Sequence, residues 1–437
     1  MLTAARRLAD CRCCGRGVTL GARALVLLRG STSASPFRSL LRRRATSDAT
    51  IPVEVAFQVL GTSDDGTVCA EAVSSDRGAV PSDGLLSVVM TARDVEEYVG
   101  EAVSSVLDQS YRDLELVVVD DGSADGTAGV LAELASHDPR VRLLRADGVG
   151  PGAARNLALR EVGGELLTFV DGDDVVPQGA FAALVGALGS QDADIAVGDV
   201  VRLHDHGLGP SPAHERSVRR RHERTHIDAV PDLVYDSTAW NKVYRRRLWT
   251  DHRLHFTEGA MYEDIAVVLE AHVRASAVTI LGEVTYHWRW RRDSSSITQL
   301  KGQEQNLRDR VRALDHSLHL TENHPELRAA LLAKIRRFDL LLYAYHAEVA
   351  RDRSYRKLYR AAVRQFVPVR DAVLAPDLAV EDRLAYLAVH AGAFSVIQPM
   401  RRLVRSSRDG ISSTRGTVRR AVGHGRANLR RARRRPG

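Results

Sequence analysis

Between residues 85 and 201 short apolar runs alternate with segments of helical period, and this alternation restricts the chain to an α/β fold. The runs at 85–90, 114–119, 141–144, 166–170 and 194–201 read as buried strands. Between the first two, Val95, Tyr98, Val99, Ala102, Val103, Val106 and Leu107 recur at helical spacing. Further helices are predicted through Val130, Leu131 and Leu134, over 153–162 up to Gly163-Gly164, and from Pro177 to Leu188. Strands alternating with helices of about 10 to 15 residues predict a mostly parallel, Rossmann-like sheet with helices on both faces. Ligands on such sheets bind beyond the carboxyl ends of the strands.

Polar clusters stand at those ends. Asp171-Gly172-Asp173-Asp174 follows the fourth strand. Several carboxylates there repel one another unless a cation sits among them, and a hard ion such as Mg²⁺ or Mn²⁺ takes one or two carboxylates plus substrate phosphates. An acidic turn capping the next helix is the structural alternative, and it needs one carboxylate. Asp120-Asp121-Gly122-Ser123 follows the second strand, where an Asp can accept from a base or ribose edge while Ser123 caps a helix. Neither cluster is a calcium loop, because the twelfth positions from Asp171 and Asp121 are Ala182 and Ala132. Residues 148–153 (GVGPGA) fit the dinucleotide fingerprint loosely, but after the third strand and not the first. Their glycines let backbone approach a phosphate, and Arg155 adds charge.

Glu263-Asp264 opens an apolar helix, predicted over 262–274; one carboxylate can cap it and the other can face the cleft as a general base. Trp240-Asn241-Lys242 offers an aromatic wall, an amide and a cation, or simply a packed Trp beside a solvated Lys. His204, His206, His214, His222 and His226 lie in a polar stretch, 204–226, with irregular spacing that predicts solvated histidines and not a metal site. Residues 284–290 read as a strand. Residues 303–394 are helical throughout, with Leu332, Ile335, Leu340, Leu341 and Leu342 as core candidates.

The flanks differ from this body. Residues 1–83 show no sustained period and are predicted to be mostly disordered, with a short strand at 53–60. Residues 1–44 carry ten Arg and one Asp, and residues 401–437 thirteen Arg and one Asp, so a net charge of +7 leaves −14 on 45–400. An acidic body with two basic arms argues against a nucleic-acid-binding core. Cys11, Cys13, Cys14 and Cys69 lack the paired spacing of a metal site. No run reaches the roughly 18 to 20 apolar residues of a membrane span, and arginines interrupt the N-terminal apolar stretch too soon for a signal peptide.

Taken together these residues resemble the family 2 glycosyltransferases of GT-A fold. The similarity rests on residues 87–98 (SVVMTARDVEEY), 116–127 (LVVVDDGSADGT), 150–156 (GPGAARN) and 168–174 (TFVDGDD). Residues 240–244 (WNKVY), 262–265 (YEDI) and 286–298 (YHWRWRRDSSSIT) are similar to later motifs of bacterial members acting on surface polysaccharide or teichoic-acid-like polymers. In the opening motif, Thr91 and Arg93-Asp94 stand where the family usually has Pro and Tyr-Asn.

The resemblance implies a GT-A domain over 84–300; the helical pattern then gives an accessory region over 301–400, and composition an Arg-rich tail over 401–437. The resemblance also implies inverting transfer from a nucleotide-diphosphate sugar to a hydroxyl of a glycan, polymer or lipid-linked acceptor, with Mn²⁺ or Mg²⁺. Thr91, Glu96, Asp120, Asp121, Arg155 and Asp171 would hold the donor. Asp173 and Asp171 would hold the metal, and Asp264 would be the base. Trp240, Asn241, Lys242 and Glu263 would face acceptor or phosphate. Competing readings are a non-catalytic nucleotide-sugar or glycan-binding module, an NAD(P)-dependent dehydrogenase using 148–153, and a nucleotidyltransferase.

The expected location is cytoplasmic, and thirteen arginines in 401–437 predict that the tail anchors the protein peripherally to the anionic inner face of the plasma membrane. Each Arg near an anionic surface contributes on the order of 1 kcal/mol, weakened by salt. Deleting 401–437 should release the protein from anionic liposomes at low salt while leaving hydrolysis of a soluble donor unchanged; equal binding of both forms would refute the anchor.

Overall fold

The computed structural model describes residues 84–291 apart from 213, residues 301–344, 346 and 351–402, and three strands nearer the N-terminus. The chain divides into two compact units, Met1–Pro81 and Ser82–Gly437. In the first, β1 (Leu25–Arg29), β2 (Ala56–Thr62) and β3 (Thr67–Val73) form an antiparallel sheet in the order β1-β3-β2. These three strands lie within the stretch expected to be mostly disordered, and the predicted strand at 53–60 overlaps β2. The rest of 1–83 and the tail beyond residue 402 lie outside the described residues.

The second unit follows the predicted alternation. In chain order it contains β4 (Leu86–Ala92), α1 (Glu96–Leu107), β5 (Leu114–Asp121), α2 (Thr127–His137), β6 (Val141–Ala146), α3 (Pro151–Leu159) and β7 (Leu166–Asp171). Next come α4 (Ala180–Ser190), β8 (Ile195–His204), β9 (Gly207–Pro210), α5 (His214–Ser217), β10 (His222–Thr225), β11 (Lys242–Arg245), α6 (Arg246–Asp251), α7 (Asp264–Arg274) and β12 (Val278–Arg289). The strands pair in the order β10-β12-β8-β11-β7-β4-β5-β6, with β9 beside β8. β4 to β7 run parallel, as do β8 and β12, while β11 lies antiparallel between β7 and β8.

The central strands are buried on both faces, which explains their nearly continuous apolar sequence. Val88 and Met90 point to one layer, with Val99, Val103 and Val106 of α1 and Leu184 of α4. Val89 points to the other, with Ala154 and Ala158 of α3 and Val267 and Val268 of α7, as the period of two requires.

The C-terminal region is helical, as expected: α8 (Glu304–Leu320), α9 (Pro325–Lys334), α10 (Leu341–Ala344), α11 (Arg353–Phe366), α12 (Val369–Leu374) and α13 (Val380–Ala391). Its buried Leu307, Ile335, Tyr343 and Tyr359 belong to the same apolar cluster as Phe169 of β7, so this region shares its core with the sheet. A π-helical turn at Ile335–Asp339 adds a residue to the period and rotates the next helical turn about its axis. Ile335 and Leu340 are therefore buried as expected, but Leu342 is 49% exposed and Tyr343 takes the inward position. No helix among the described residues is long and apolar enough to cross a membrane.

Candidate active site

Parallel pairing brings the sequence clusters together. Thr91 lies beside Asp171 in the β4–β7 register, and Ala92 beside Asp120 in the β4–β5 register. The carboxyl ends of β4, β5 and β7 thus form one edge carrying Thr91, Asp120, Asp121 and Asp171. Gly172 turns away by donating its N–H to the Thr91 carbonyl at 2.9 Å. A Cβ at Gly172 would sit 3.0 Å from that oxygen, so the tight exit uses a glycine.

The three carboxylates after β7 have different environments. Asp174 is 1% exposed; it accepts from the Tyr286 hydroxyl at 2.8 Å and the Arg289 N–H at 2.7 Å, and burial pushes its pKa well up. Asp173 accepts from Arg291 Nε at 2.6 Å through Oδ2. Burial first, then repulsion from Asp171, raises its pKa against the pull of Arg291. Asp171 accepts from Arg155 at 2.6 Å through Oδ1. Among the described residues no three His, Cys, Asp or Glu side chains converge into a metal cage. Asp171 and Asp173 each commit one oxygen to an arginine, and Asp174 commits both of its oxygens to Tyr286 and Arg289. This donor set fits a hard cation completed by substrate phosphate oxygens.

The glycine-rich segment acts differently from expectation. Its backbone does not wait for a phosphate: Val149 and Gly150 donate to the two Asp121 carboxylate oxygens at 2.7 and 2.9 Å. Gly150 has φ +87, which a glycine adopts readily. Asp121, expected at the nucleoside, is the anchor of this turn, while Asp120 accepts from the Ser123 N–H at 3.2 Å. Gly152 permits a close crossing, since a Cβ there would lie 2.4 Å from the Thr257 carbonyl. Asn156 grips the same loop, exchanging hydrogen bonds of 2.9 Å with both the carbonyl and the N–H of Phe256.

Arg155, one turn into α3, is 5% exposed and bridges Asp171 to Glu263. Burial opposes its charge, but Asp171, Glu263 and Asp264 together push its pKa further up. It therefore joins the end of β7 to the start of α7, and it is not a free nucleoside ligand.

Asp264 is the first residue of α7. Neither carboxylate caps the helix: Glu263 makes no capping bond and is taken by Arg155. No hydrogen bond from the described residues accounts for Asp264's state. Burial first, then repulsion from Glu263 and Asp171, outweighs Arg155 and Arg310 and raises its pKa to about 7. A half-buried carboxylate poised there suits general-base chemistry near neutrality.

Several expected ligands turn inward instead. Lys242 is 0% exposed, its ammonium 2.8 Å from Asp236 and donating to the Thr238 carbonyl and Asn241 Oδ1, each at 2.7 Å. Asn241 donates to the Gly198 carbonyl at 2.8 Å. Trp240 stacks on Tyr286, centroids 4.4 Å apart. These three hold β11 and cannot present an anion site or an aromatic wall to the cleft. Glu96 accepts from the Gly126 N–H at 2.9 Å, which ties α1 to the turn after β5. His214 is buried against Trp240, with its pKa pushed down to about 4 by burial, which corrects its assignment as solvated.

The sequence reading placed Tyr286, Arg289 and Arg291 in a family-like motif but gave them no role at the site. The Tyr286 hydroxyl accepts from the Asp171 N–H at 3.0 Å while donating to Asp174. Arg289 reaches the Asp173 carbonyl and Glu101, each at 2.5 Å. The signal was the alternation WRWRR at the end of a strand, which places Arg289 and Arg291 on one face.

Residues 87–252 match the family Glycosyl transferase family 2. The chain is 28% identical over 231 residues to glycosyltransferase GlyA of Streptococcus pneumoniae, covering 49% of this chain and 32% of that protein. It is 27% identical over 225 residues to GlyG of the same species, covering 49% and 74%. It is 23% identical over 216 residues to the poly(ribitol-phosphate) β-N-acetylglucosaminyltransferase TarS of Staphylococcus aureus, covering 48% and 36%. The match thus spans about a third of the length of GlyA and of TarS. The crystal structure of S. aureus TarS 1–349 with UDP-GlcNAc superposes with a TM-score of 0.56 at 19% identity, covering 74% of this chain and 92% of that one. Fold and sequence similarity agree: residues 87–252 match a glycosyl transferase family 2 domain, and the sheet and its helices have the GT-A fold.

Proposed function

We propose that this chain is an inverting glycosyltransferase that moves a sugar from a nucleotide-diphosphate donor to a hydroxyl of a cell-surface glycan, polymer or lipid-linked acceptor. The observation that carries the reading is the placement of Asp264 at the start of α7, next to the Arg155 bridge between Asp171 and Glu263; burial there raises its pKa to about 7, which suits taking a proton near neutrality. In a single displacement, base and leaving group lie on opposite faces of the sugar. Asp264 accepts the acceptor's hydroxyl proton as that oxygen forms the new bond to the anomeric carbon, and the bond to the diphosphate oxygen breaks with its electron pair. Arg155 keeps Asp171 and the start of α7 in register. Asp120 and Thr91 stand at the donor edge. Asp173 and Asp171 would hold a divalent cation, which when bound neutralises charge on the leaving diphosphate. Tyr286 and Arg289 orient the turn that carries these carboxylates.

Asp264→Asn should retain donor binding, read by thermal shift across UDP, GDP, CDP and dTDP sugars, and lose transfer by on the order of 10²- to 10⁴-fold. Undiminished transfer would reject the base and favour a binding module. Asp173→Asn should keep the fold and lose Mn²⁺-dependent binding of the nucleotide diphosphate, as measured by calorimetry.

The raised Asp264 pKa also has a stability consequence. The folded chain holds this proton more tightly than the unfolded one, whose Asp titrates near 3.8. Stability from this group is intact below about pH 4, falls as pH rises, and is fully lost above about pH 7. Asp264→Asn should therefore raise stability at pH 8 by on the order of 1–3 kcal/mol, with no gain at pH 4, in urea unfolding at both pH values.

A further inference from the structure

The turn that delivers Asp264 is strained, and the residues that hold it come from the helical region. Tyr262, two residues before the base, has φ +62. For a bulky residue this left-handed conformation costs on the order of 1–3 kcal/mol and persists only where the surroundings over-determine it. Tyr262 is 8% exposed, and its hydroxyl donates to Asn306 Oδ1 at 2.9 Å. The Tyr343 hydroxyl donates to the same oxygen at 2.5 Å and lies 3.2 Å from the Tyr262 hydroxyl. The Arg310 guanidinium covers the Tyr262 ring 3.7 Å from its centroid and is held by Asp339 at 3.3 Å. One residue earlier, the Met261 N–H donates to Asp309 Oδ2 at 3.2 Å. Asn306 and Tyr343 are 0% exposed and Asp309 2%.

These partners lie on α8 and α10 and in the π-helical turn between α9 and α10, all beyond the stretch that matches the family. Fixing φ at Tyr262 sets the direction in which the chain enters α7, and Asp264 is the first residue of that helix. A carboxylate without a hydrogen bond to orient it depends on its backbone for its aim.

We propose that Asn306, Tyr343 and Arg310 form a cradle that locks Tyr262 in its left-handed conformation and thereby positions the Asp264 carboxylate for transfer. They are positioning residues, and the helical region is a working part of the active site. The proposal rests on Asp264 being the base.

The test uses the full chain and the UDP, GDP, CDP or dTDP sugar that it hydrolyses fastest. Tyr343→Phe removes one hydroxyl and keeps the ring; Asn306→Ala removes the shared acceptor. Each should lower kcat on the order of 10- to 100-fold, as expected for a displacement near 1 Å, with donor KM unchanged. Tyr343→Phe serves where Asn306→Ala lowers the melting temperature below the assay range. The same substitutions are then made in Asp264→Asn. A positioning role acts through Asp264, so they should leave the residual rate of that variant unchanged, whereas general damage would lower it further. An unchanged kcat in Tyr343→Phe, or fully additive losses, overturns the cradle while leaving the base in place. Full activity of Asp264→Asn itself overturns the base and, with it, the cradle.

Discussion

Everything around the candidate site depends on the buried guanidinium of Arg155. It sits above the ring of Phe256 at 5.3 Å and spans Asp171 on the sheet and Glu263 before α7. A lone charge at such depth costs several kcal/mol, and breaking a buried pair on one side costs about 3–5 kcal/mol. The three groups are therefore bound to one another's placement. The consequence is geometric: the start of α7 is tied to the strand end that carries Asp171. The rest of α3 is built to bring Arg155 there. Asp121 pins the turn before it, Gly152 lets it cross the Thr257 backbone, and Asn156 clasps Phe256.

Around this bridge the acidic residues divide into satisfied and unsatisfied ones. Asp121 and Asp174 have all the donors they need and act as braces. Asp264 has none among the described residues, and its like-charged neighbours add to burial in raising its pKa. Such a carboxylate adds nothing to stability near neutral pH, which supports its proposed role as the base. Lys242 shows the converse. It stands out in the sequence, yet Asp236, Thr238 and Asn241 consume its charge and donors.

Much of the architecture is legible in the sequence. The five strands over 85–201 and the helices between them appear at the expected places, because period and turn residues act within a few positions. The edge where Thr91, Asp120 and Asp171 meet follows from parallel pairing. Legibility ends where the order of residues no longer determines their neighbours. His214 reads as a loop histidine until Trp240 covers it, and Leu342 reads as core until the π turn at Ile335–Asp339 rotates it outward.

The sequence by itself determined the alternation, the acidic strand ends and the carboxylate pair Glu263-Asp264, since each is written in contiguous residues. Only the tertiary structure decided which of those carboxylates are spent and which remain available. Their partners are distant along the chain: Arg155 meets Glu263 108 residues on, and Arg291 meets Asp173 from 118 residues away. A carboxylate's chemistry depends on the donors, charges and exposure that reach it through space. Glu263 and Asp264 are adjacent in sequence, and it is folding that makes one a brace and the other a candidate base.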